Sequence, residues 1–252
     1  MPSTCALFLK YQIKLNYSIG AHAFDIFQNN GDILLNIKAI NCNFIHTSTL
    51  NGVYRLRKKL FLFNKKIKLI RRGLVSISFK LPQRKVSSKK IINIFSVGRL
   101  VFKKDYKFQL FLLHSLMKNN IKAKLTICGN GLLLKKLLYY IANLNLNLYI
   151  KIFYNLNFRS LKKLYKKFDV FIFTGKTLLD GDKDGLPNVI AEAMSFGVPV
   201  ISFNIGGVPE VIKPNKNGFV MSIKNLFLFV EKLVSNFKCN KKHRKICIMS
   251  QI

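Results

Sequence analysis

The pattern of apolar and polar positions changes along the chain near residue 91. Before that point, four short apolar runs separated by polar residues predict buried strands joined by short connections. These runs cover residues 6–9, 17–19, 42–45 and 67–70. Residues 81–90 (LPQRKVSSKK) are polar and contain Pro and Ser, so they predict a linker. The pattern therefore divides the chain into a first lobe at 1–80, a linker at 81–90 and a second lobe at 91–236.

The second lobe alternates regularly between continuous apolar runs and stretches with helical spacing. The apolar runs predict strands at 91–98, 124–129, 149–154, 169–175 and 198–203. The helical stretches lie at 107–119, 132–143, 160–167 and 187–195. Such alternation predicts an α/β fold with a parallel sheet covered by helices on both faces, which is a doubly wound lobe. Ligands of such lobes bind at the carboxyl ends of the strands.

The segment from 180 to 212 contains the most informative polar residues. The run Asp184-Gly185-Leu186-Pro187-Asn188-Val189 predicts a tight turn into a helix. Proline is favourable at the start of a helix, and the first free amides, those of Asn188 and Val189, form an anion site there. Glu192 follows Asp184 by eight residues, about one turn inside the helix. One carboxylate at the mouth and one on the helix can each bind a pair of sugar hydroxyls. In isolation, the two carboxylates would instead be a helix-start residue and a surface residue.

The residues around this pair resemble the signature of family-4 glycosyltransferases of the GT-B fold. In that family an acidic residue, seven residues and Glu are followed by E-A-M-x-x-G-x-P-V and G-G-x-P-E. The matching positions here are Asp184, Glu192-Ala193-Met194, Gly197, Pro199-Val200 and Gly206-Gly207-Val208-Pro209-Glu210. The D-G-L-P-N run is similar to the branch that makes exopolysaccharide and lipopolysaccharide. The resemblance implies a GT-B fold with two Rossmann-like lobes.

Further elements of the second lobe agree with this resemblance. Gly98-Arg99-Leu100 with Lys104 is similar to the family's G-R-L…K element, and Gly129-Asn130-Gly131 to its G-x-G. The resemblance implies that Arg99 and Lys104 neutralise a departing diphosphate, while Gly129 and Gly131 line the donor site. A lone G-x-G is otherwise only a turn. Two departures are Asp105, where the family has Gly, and Tyr154, where it often has Gly near the nucleoside base.

The first lobe carries a shorter resemblance at residues 18–27 (SIGAHAFDIF), which are similar to the family's T-A-H-x-x-D-I-F. The resemblance places His22 in the cleft near the donor sugar and the acceptor, although a lone His is more often structural. Residues 71–73 (RRG) stand where the family has I-x-x-G. The chain begins near the middle of the family's first lobe, so we expect that lobe to be incomplete.

The function that the resemblance implies is retaining transfer of a sugar from a UDP- or GDP-sugar to a glycan or lipid-linked acceptor. The resemblance implies no metal and no cofactor, and because the leaving phosphate would take the acceptor proton, no protein nucleophile is expected. Asp184 would orient the sugar hydroxyls and Glu192 would hold the ribose. A second hypothesis is a degenerate fragment that folds and binds nucleotide without transferring a sugar.

The charge balance adds a question about partners. Lys and Arg number 43 against 10 acidic residues, giving a formal net charge of +33. Nucleic-acid binding, an anionic membrane surface and compositional drift are the three interpretations. The lysines are scattered rather than concentrated in one patch, and Asn, Ile, Phe and Lys share A/T-rich codons. Drift or peripheral membrane contact is therefore favoured over a basic nucleic-acid-binding protein, which is the weakest hypothesis.

Cysteine usage and hydropathy bear on the compartment. The five cysteines contain no C-x-x-C and their number is odd, which indicates a reducing, cytoplasmic location. Cys239, His243 and Cys247 do not have the spacing of a standard zinc site, and residues 237–252 are predicted to be a basic tail. No apolar run reaches the roughly 18–20 residues of a membrane span.

Overall fold

The computed structural model describes residues 2–73, 91–214, 216–222 and 225–238. The chain forms two compact units. The first contains Met1–Gly73, Thr177–Leu186 and Ile205–Glu210, and the second contains Leu74–Lys176, Pro187–Asn204 and Val211–Ile252. Two segments from the second half of the sequence thus belong to the first unit. The predicted linker and the residues after 238 lie outside the described residues, so the predicted boundaries stay predictions.

The first unit is built on a parallel sheet of three short strands in the order β1-β2-β3. The strands are β1 (Ile19–Gly20), β2 (Ile45–Thr47) and β3 (Ile67–Leu69), and the helices are α1 (Pro2–Ile13), α2 (Ala23–Ile26), α3 (Leu35–Asn41) and α4 (Leu50–Lys59). Ile19, Ile45 and Ile67 align across the sheet and are buried, so one row of β-branched side chains forms the centre of this core.

Of the four strands predicted for this region, the one at 67–70 coincides with β3, those at 17–19 and 42–45 overlap β1 and β2 by one residue each, and the one at 6–9 is wrong. These residues lie in α1, where Leu7 is buried while Phe8 and Leu9 are exposed. An apolar run of four residues does not distinguish a strand from part of a helix. In α1 the run extends around the helix, so its residues face different directions.

The second unit contains a parallel sheet of six strands in the order β6-β5-β4-β7-β8-β9. The strands are β4 (Ile92–Val97), β5 (Ala123–Cys128), β6 (Ile150–Phe153), β7 (Val170–Phe173), β8 (Val200–Phe203) and β9 (Gly218–Met221). The helices are α5 (Tyr106–Lys118), α6 (Leu134–Asn143), α7 (Phe158–Tyr165), α8 (Asn188–Ser195) and α10 (Leu226–Lys238), while α9 (Val208–Val211) belongs to the first unit except for its last residue. The five strands and four helices predicted from the pattern are all present, so the predicted doubly wound lobe is confirmed. β9 and α10 complete the sheet and its cover.

Both faces of this sheet are buried, as parallel strands require. Ile94 belongs to the main core cluster with the helices α5 and α10. Its neighbour Phe95 points to the opposite face, where its ring stacks on Phe168 at 4.4 Å and meets Tyr165 edge-on at 5.2 Å. β4 pairs with β5 on one side and with β7 on the other, so the strand order reverses there. The carboxyl ends of β4 and β7 are therefore the expected ligand position.

Among the residues that the structure describes, no helix combines the length and the apolar character needed to cross a bilayer.

Candidate functional site

The loops after β4 and β5 are bound to each other through their backbones. The Leu100 amide donates to the Asn130 carbonyl at 2.9 Å, and the Leu133 amide donates to the Leu100 carbonyl at 3.0 Å. Leu100 is fully buried and anchors the loop, while the neighbouring Arg99 is exposed at the carboxyl end of the sheet. The pairing of the two loops therefore fixes the backbone from which Arg99 projects.

Gly129 makes this pairing possible. A Cβ atom at Gly129 would lie 1.9 Å from the Gly98 carbonyl oxygen, so no other residue fits. Its amide donates to the Phe153 carbonyl at 2.9 Å, and the amide of Gly131 donates to the Asn130 side chain at 2.8 Å. Both amides are thus already used within the unit. The predicted roles of Gly129 and Gly131 at a donor site would depend on their lack of a side chain rather than on these amides.

Lys104 lies at the end of the 3-10 turn that follows β4. Its ammonium is 4.9 Å above the centre of the Phe173 ring, at the carboxyl end of β7. This cation–π contact directs the charge towards the position where the strand order reverses. Arg99 and Lys104 therefore both follow β4, and Lys104 extends towards β7.

Asp105, where the resembling family has Gly, adopts a left-handed conformation with φ 48° and ψ 48°. Glycine adopts this conformation freely, and Asp is one of the few other residues that tolerate it. The Thr174 hydroxyl donates to the Lys104 carbonyl at 3.0 Å and accepts from the Gln109 amide at 2.9 Å, which holds the turn in place. The replacement is thus accommodated. Gln109 and Thr174 are buried positioning residues that the sequence analysis did not identify.

The helix α8 begins one residue later than predicted, because Pro187 is its N-cap with an extended ψ of 124°. Asn188 is exposed and Val189 is half-buried at the first two positions of this helix. Amides at such positions have no acceptor one turn earlier in the helix. The start of α8 therefore retains the character of an anion site that the sequence predicts.

Glu192, one turn into α8, is half-buried and is held by a tyrosine from α7. The Tyr165 hydroxyl donates to a carboxylate oxygen of Glu192 at 3.0 Å. Tyr165 is fully buried, and its ring stacks on Phe196 at 5.3 Å. Burial raises the pKa of Tyr165 strongly and the Glu192 carboxylate raises it further, so the phenol remains a proton donor. Tyr165 is a third positioning residue that was not predicted from the sequence, because a tyrosine at helical spacing resembles an ordinary core residue.

In the first unit, His22 is exposed at the N-terminus of α2. Its backbone amide donates to Asp25 at 2.8 Å, and its Nε2 lies 2.7 Å from a guanidinium nitrogen of Arg72. A guanidinium can only donate, so Nε2 is the acceptor and the imidazole is neutral. Burial lowers the pKa of His22, Arg72 lowers it further, and Asp25 partly opposes them. Because Nε2 accepts from Arg72, the proton of the neutral imidazole lies on Nδ1, which can donate a hydrogen bond.

The predicted site residues Asp184, Gly185 and Leu186 also belong to the first unit, where they are half-buried. Gly206 adopts a φ of 55°, and a Cβ atom there would lie 2.2 Å from the Gly185 carbonyl oxygen and 2.3 Å from that of Asp184. The Gly207 amide donates to the same Gly185 carbonyl. The paired glycines of the G-G-x-P-E motif thus let the chain pack directly on the backbone of Asp184 and Gly185.

The glutamate of the same motif, Glu210, binds the N-terminus of α4. Its carboxylate accepts from the backbone amides of Leu50 at 2.8 Å and Asn51 at 3.1 Å, and it pairs with Arg71. A carboxylate at a helix N-terminus is stabilised by the free amides and the helix dipole. In the described structure, Glu210 therefore has a structural role in the first unit.

A pocket of about 170 Å³ lies in the second unit between the turn after β4, α5 and α6. Its lining includes Phe102, Lys107, Lys136 and Tyr140 but none of the predicted site residues. It is therefore distinct from the arrangement described above.

Comparison with known families places the chain in a class. Residues 78–248 match the model of the family described as glycosyl transferases group 1. This match covers more than half of the chain, and the chain therefore belongs to that family.

Individual relatives agree with this assignment. The chain is 30% identical over 155 residues to the amylovoran biosynthesis glycosyltransferase AmsK of Erwinia amylovora, covering 62% of this chain and 38% of AmsK. It is 28% identical over 130 residues to the putative colanic acid biosynthesis glycosyltransferase WcaL of Escherichia coli, covering 52% of this chain and 32% of WcaL. The chain thus spans about a third of the length of these relatives.

Two solved structures share the fold. A TarM mutant from S. aureus, in complex with fondaparinux, alpha-GlcNAc-glycerol and UDP, superposes with a TM-score of 0.82 at 18% identity, over 99% of this chain and 49% of TarM. HepE from Anabaena, in complex with UDP and glucose, superposes with a TM-score of 0.78 at 17% identity, over 99% of this chain and 69% of HepE. The predicted α/β architecture of the GT-B type is confirmed.

Proposed function

We propose that the chain is a retaining, metal-independent glycosyltransferase of family 4, from the branch that makes exopolysaccharide and lipopolysaccharide. It moves a sugar from a UDP- or GDP-sugar to a glycan or lipid-linked acceptor. The observation that carries the proposal lies in the second unit, where two cations follow β4 at the reversal of strand order and a buried tyrosine holds Glu192. The UDP named in the complexes of TarM and HepE supports a nucleotide-sugar donor.

The second unit supplies the groups for the nucleotide. Arg99, Lys104 and the first amides of α8 would bind the diphosphate and stabilise the negative charge that develops as it leaves. Glu192, with one oxygen held by Tyr165, would accept hydrogen bonds from the ribose hydroxyls through its carboxylate. Gly129 and Gly131 leave room for the donor beside them.

Asp184 and His22 take their proposed roles from the family resemblance. Asp184 would orient hydroxyls of the donor sugar, and the neutral imidazole of His22 would face the reacting centre. The leaving phosphate would take the proton of the acceptor hydroxyl, so the new glycosidic bond forms as the sugar–phosphate bond breaks. A reaction in which the leaving phosphate takes the proton requires no protein nucleophile and no metal ion.

Calorimetric binding of UDP and GDP, followed by turnover of UDP- and GDP-sugars, tests the proposal. Glu192→Gln should weaken nucleotide binding by about tenfold, the cost of a charge-assisted hydrogen bond. Glu231→Gln removes an equal charge from an exposed position of α10 and should leave the affinity unchanged. Equal affinities of the wild type and Glu192→Gln would remove Glu192 from the site.

A second candidate function is nucleotide binding without sugar transfer. The observation that favours it is the strongly basic composition, 43 Lys and Arg against 10 acidic residues, which is what compositional drift in a degenerate chain would leave. Tyr154, which stands where the family often has Gly and is 45% exposed just after β6, bears instead on recognition of the base. Nucleotide binding that depends on Glu192, with no turnover of any nucleotide sugar, would support this candidate over the transferase.

Location and partners follow the same proposal. We place the protein in the cytoplasm, with peripheral contact to an anionic membrane and no specific nucleic-acid partner. On α1 the apolar side chains of Phe8, Leu9 and Ile13 are exposed, and α1 and the residue after it carry Lys10 and Lys14. Apolar and basic residues together favour the interface of an anionic bilayer. Flotation with anionic but not with neutral vesicles is the expected result, and equal recovery with both would contradict it.

A further inference from the structure

Three cations of the first unit form a group separate from the residues assigned above. Arg55 and Lys59 are four residues apart on α4 and therefore share one face of that helix. Lys183 comes from the segment 177–186 that belongs to the same unit. We call Arg55, Lys59 and Lys183 the cationic cluster.

The ammonium of Lys59 is the most unusual member of the cluster. Its Nζ atom is buried, and within the described residues it has no hydrogen-bond partner. It lies against Gly31, where a Cβ atom would be 2.7 Å from Nζ. The described residues therefore leave space for this ammonium without supplying a hydrogen-bond acceptor for it. An unpaired buried charge is costly, and in proteins it is normally compensated by an opposite charge.

Lys183 is in a similar environment. Its ammonium lies 4.5 Å above the centre of the Phe27 ring, a contact that orients the charge without neutralising it. Burial lowers the pKa of both Lys59 and Lys183, and the Arg55 guanidinium lowers both further. The charged group that acts on each ammonium is thus another cation.

Such a cluster fits an oxyanion with more than one negative charge. A single carboxylate would neutralise only one of the three cations, whereas a phosphate or diphosphate carries several charges and several acceptor oxygens. Arg55 is exposed and can reach a ligand that enters from solvent. Lys183 directly precedes Asp184, the residue assigned to the donor sugar. We propose that the cationic cluster binds a phosphate or diphosphate group carried by the acceptor, an inference that rests on the proposed transferase function.

Calorimetry with inorganic pyrophosphate tests the cluster itself. The measurement uses the full chain carrying Arg99→Gln and Lys104→Gln, so that binding at the proposed nucleotide site does not contribute. Pyrophosphate should still bind, and adding Lys59→Met or Arg55→Gln should weaken it by about tenfold. Lys58→Met removes the same charge from an exposed neighbouring position and should change little. Equal losses with Lys58→Met and Lys59→Met, or no loss with either cluster variant, would overturn the proposal.

The melting temperature shows whether a loss of pyrophosphate binding is due to unfolding, and the binding of UDP and GDP shows whether it is due to loss of the proposed nucleotide site. Lys59→Met removes an unpaired ammonium, so its melting temperature without ligand should equal or exceed that of its parent. In the otherwise wild-type chain, Lys59→Met should leave UDP and GDP binding unchanged. If the chain binds pyrophosphate through the cationic cluster but binds no nucleotide, the anion site is supported and the proposed transferase function is contradicted.

Binding to vesicles distinguishes a phosphate carried by a lipid from one carried by a soluble molecule. Neutral phosphatidylcholine vesicles doped with a prenyl diphosphate should retain the wild-type chain and lose the Lys59→Met variant. Vesicles of matched charge made with phosphatidylglycerol should retain both to the same extent. Binding of soluble pyrophosphate together with no preference for the prenyl diphosphate would assign the site to a soluble sugar phosphate instead of a lipid.

Discussion

The two units differ in what holds them together. Strands in the second unit have four to six residues, and β7 and β8 are buried at every position. Strands in the first unit have two or three residues, and its helix α4 begins on a carboxylate from a segment far along the chain. Burial of apolar side chains therefore dominates the stability of the second unit, whereas individual polar contacts contribute more to the stability of the first unit.

This difference explains why the units also differ chemically. In the second unit Tyr165 donates to a carboxylate, Thr174 donates to a backbone carbonyl, and Gln109 donates to hydroxyls, although its Oε1 has no hydrogen-bond partner among the described residues. The first unit has a buried ammonium without a hydrogen-bond partner among the same residues, and a neutral histidine beside a guanidinium. Groups whose partners are missing or mismatched are the ones that a ligand can stabilise.

The largest expected effect is on the packing of the second unit. Gly129→Ala would place a Cβ atom 1.9 Å from a backbone oxygen, so we expect a loss of about 3 kcal/mol in the free energy of unfolding. At Gly185 in the first unit, an added Cβ meets nothing within 4 Å, and Gly185→Ala should change stability by less than about 0.5 kcal/mol. Urea unfolding measures both, and similar losses would refute the steric argument.

The next effect concerns the polar contacts of the first unit. Glu210→Ala removes the acceptor of two backbone amides and the partner of Arg71, so we expect a loss of about 2 kcal/mol. Hydrogen exchange at Leu50 and Asn51 should accelerate, because those amides lose their acceptor. Glu231→Ala, at an exposed position of α10, should have little effect on either measurement. Unchanged exchange at Leu50 would show that Glu210 does not hold α4.

A smaller effect is expected from the hydroxyl of Tyr165, which binds Glu192 in the second unit. Tyr165→Phe keeps the buried ring but removes the hydroxyl that binds Glu192, so stability should fall by about 1 kcal/mol. Nucleotide affinity should fall as well, because Glu192 is no longer held in one position. Tyr139→Phe, at a position that is 64% exposed, is the control and should leave both unchanged. A loss of stability with full nucleotide affinity would limit Tyr165 to packing.

The smallest effect is a shift in the titration of His22. Its pKa should lie below the ordinary value of 6.5, and the imidazole should become charged only as the pH falls below that value. Folding stability linked to His22 is therefore complete above 6.5 and is lost as the pH falls through the pKa of the folded state. Arg72→Gln should raise the pKa of His22 and Asp25→Asn should lower it, because the two neighbours act in opposite directions. Proton NMR titration, assigned with His22→Gln, measures both shifts, and shifts of the same sign would contradict the geometry.

The elements predicted correctly from the sequence are those whose burial leaves a recognisable pattern of apolar residues. The strand at 170–173 is wholly apolar, and those at 92–97 and 200–203 are apolar except for Asn93, Ser96 and Ser202, because both faces of the sheet are covered. The strand predicted at residues 6–9 was wrong because four apolar residues have no period to detect. Tyr165 and Gln109 were missed because their roles arise from contacts with residues 27 and 65 positions away, which no local pattern records.

The sequence by itself determined the alternation of strands and helices, the family resemblance and the candidate site residues, because these depend on residue type and spacing along the chain. The tertiary structure alone decided the grouping of segments 177–186 and 205–210 with the first unit, and with it the neighbours of Asp184 and Glu210. It also revealed that the Nζ atom of Lys59 is buried with no hydrogen-bond partner in the described part of the chain, and that Glu192 is held by Tyr165. Burial and pairing depend on which distant side chains meet in space, and that information is absent from any local pattern of residues.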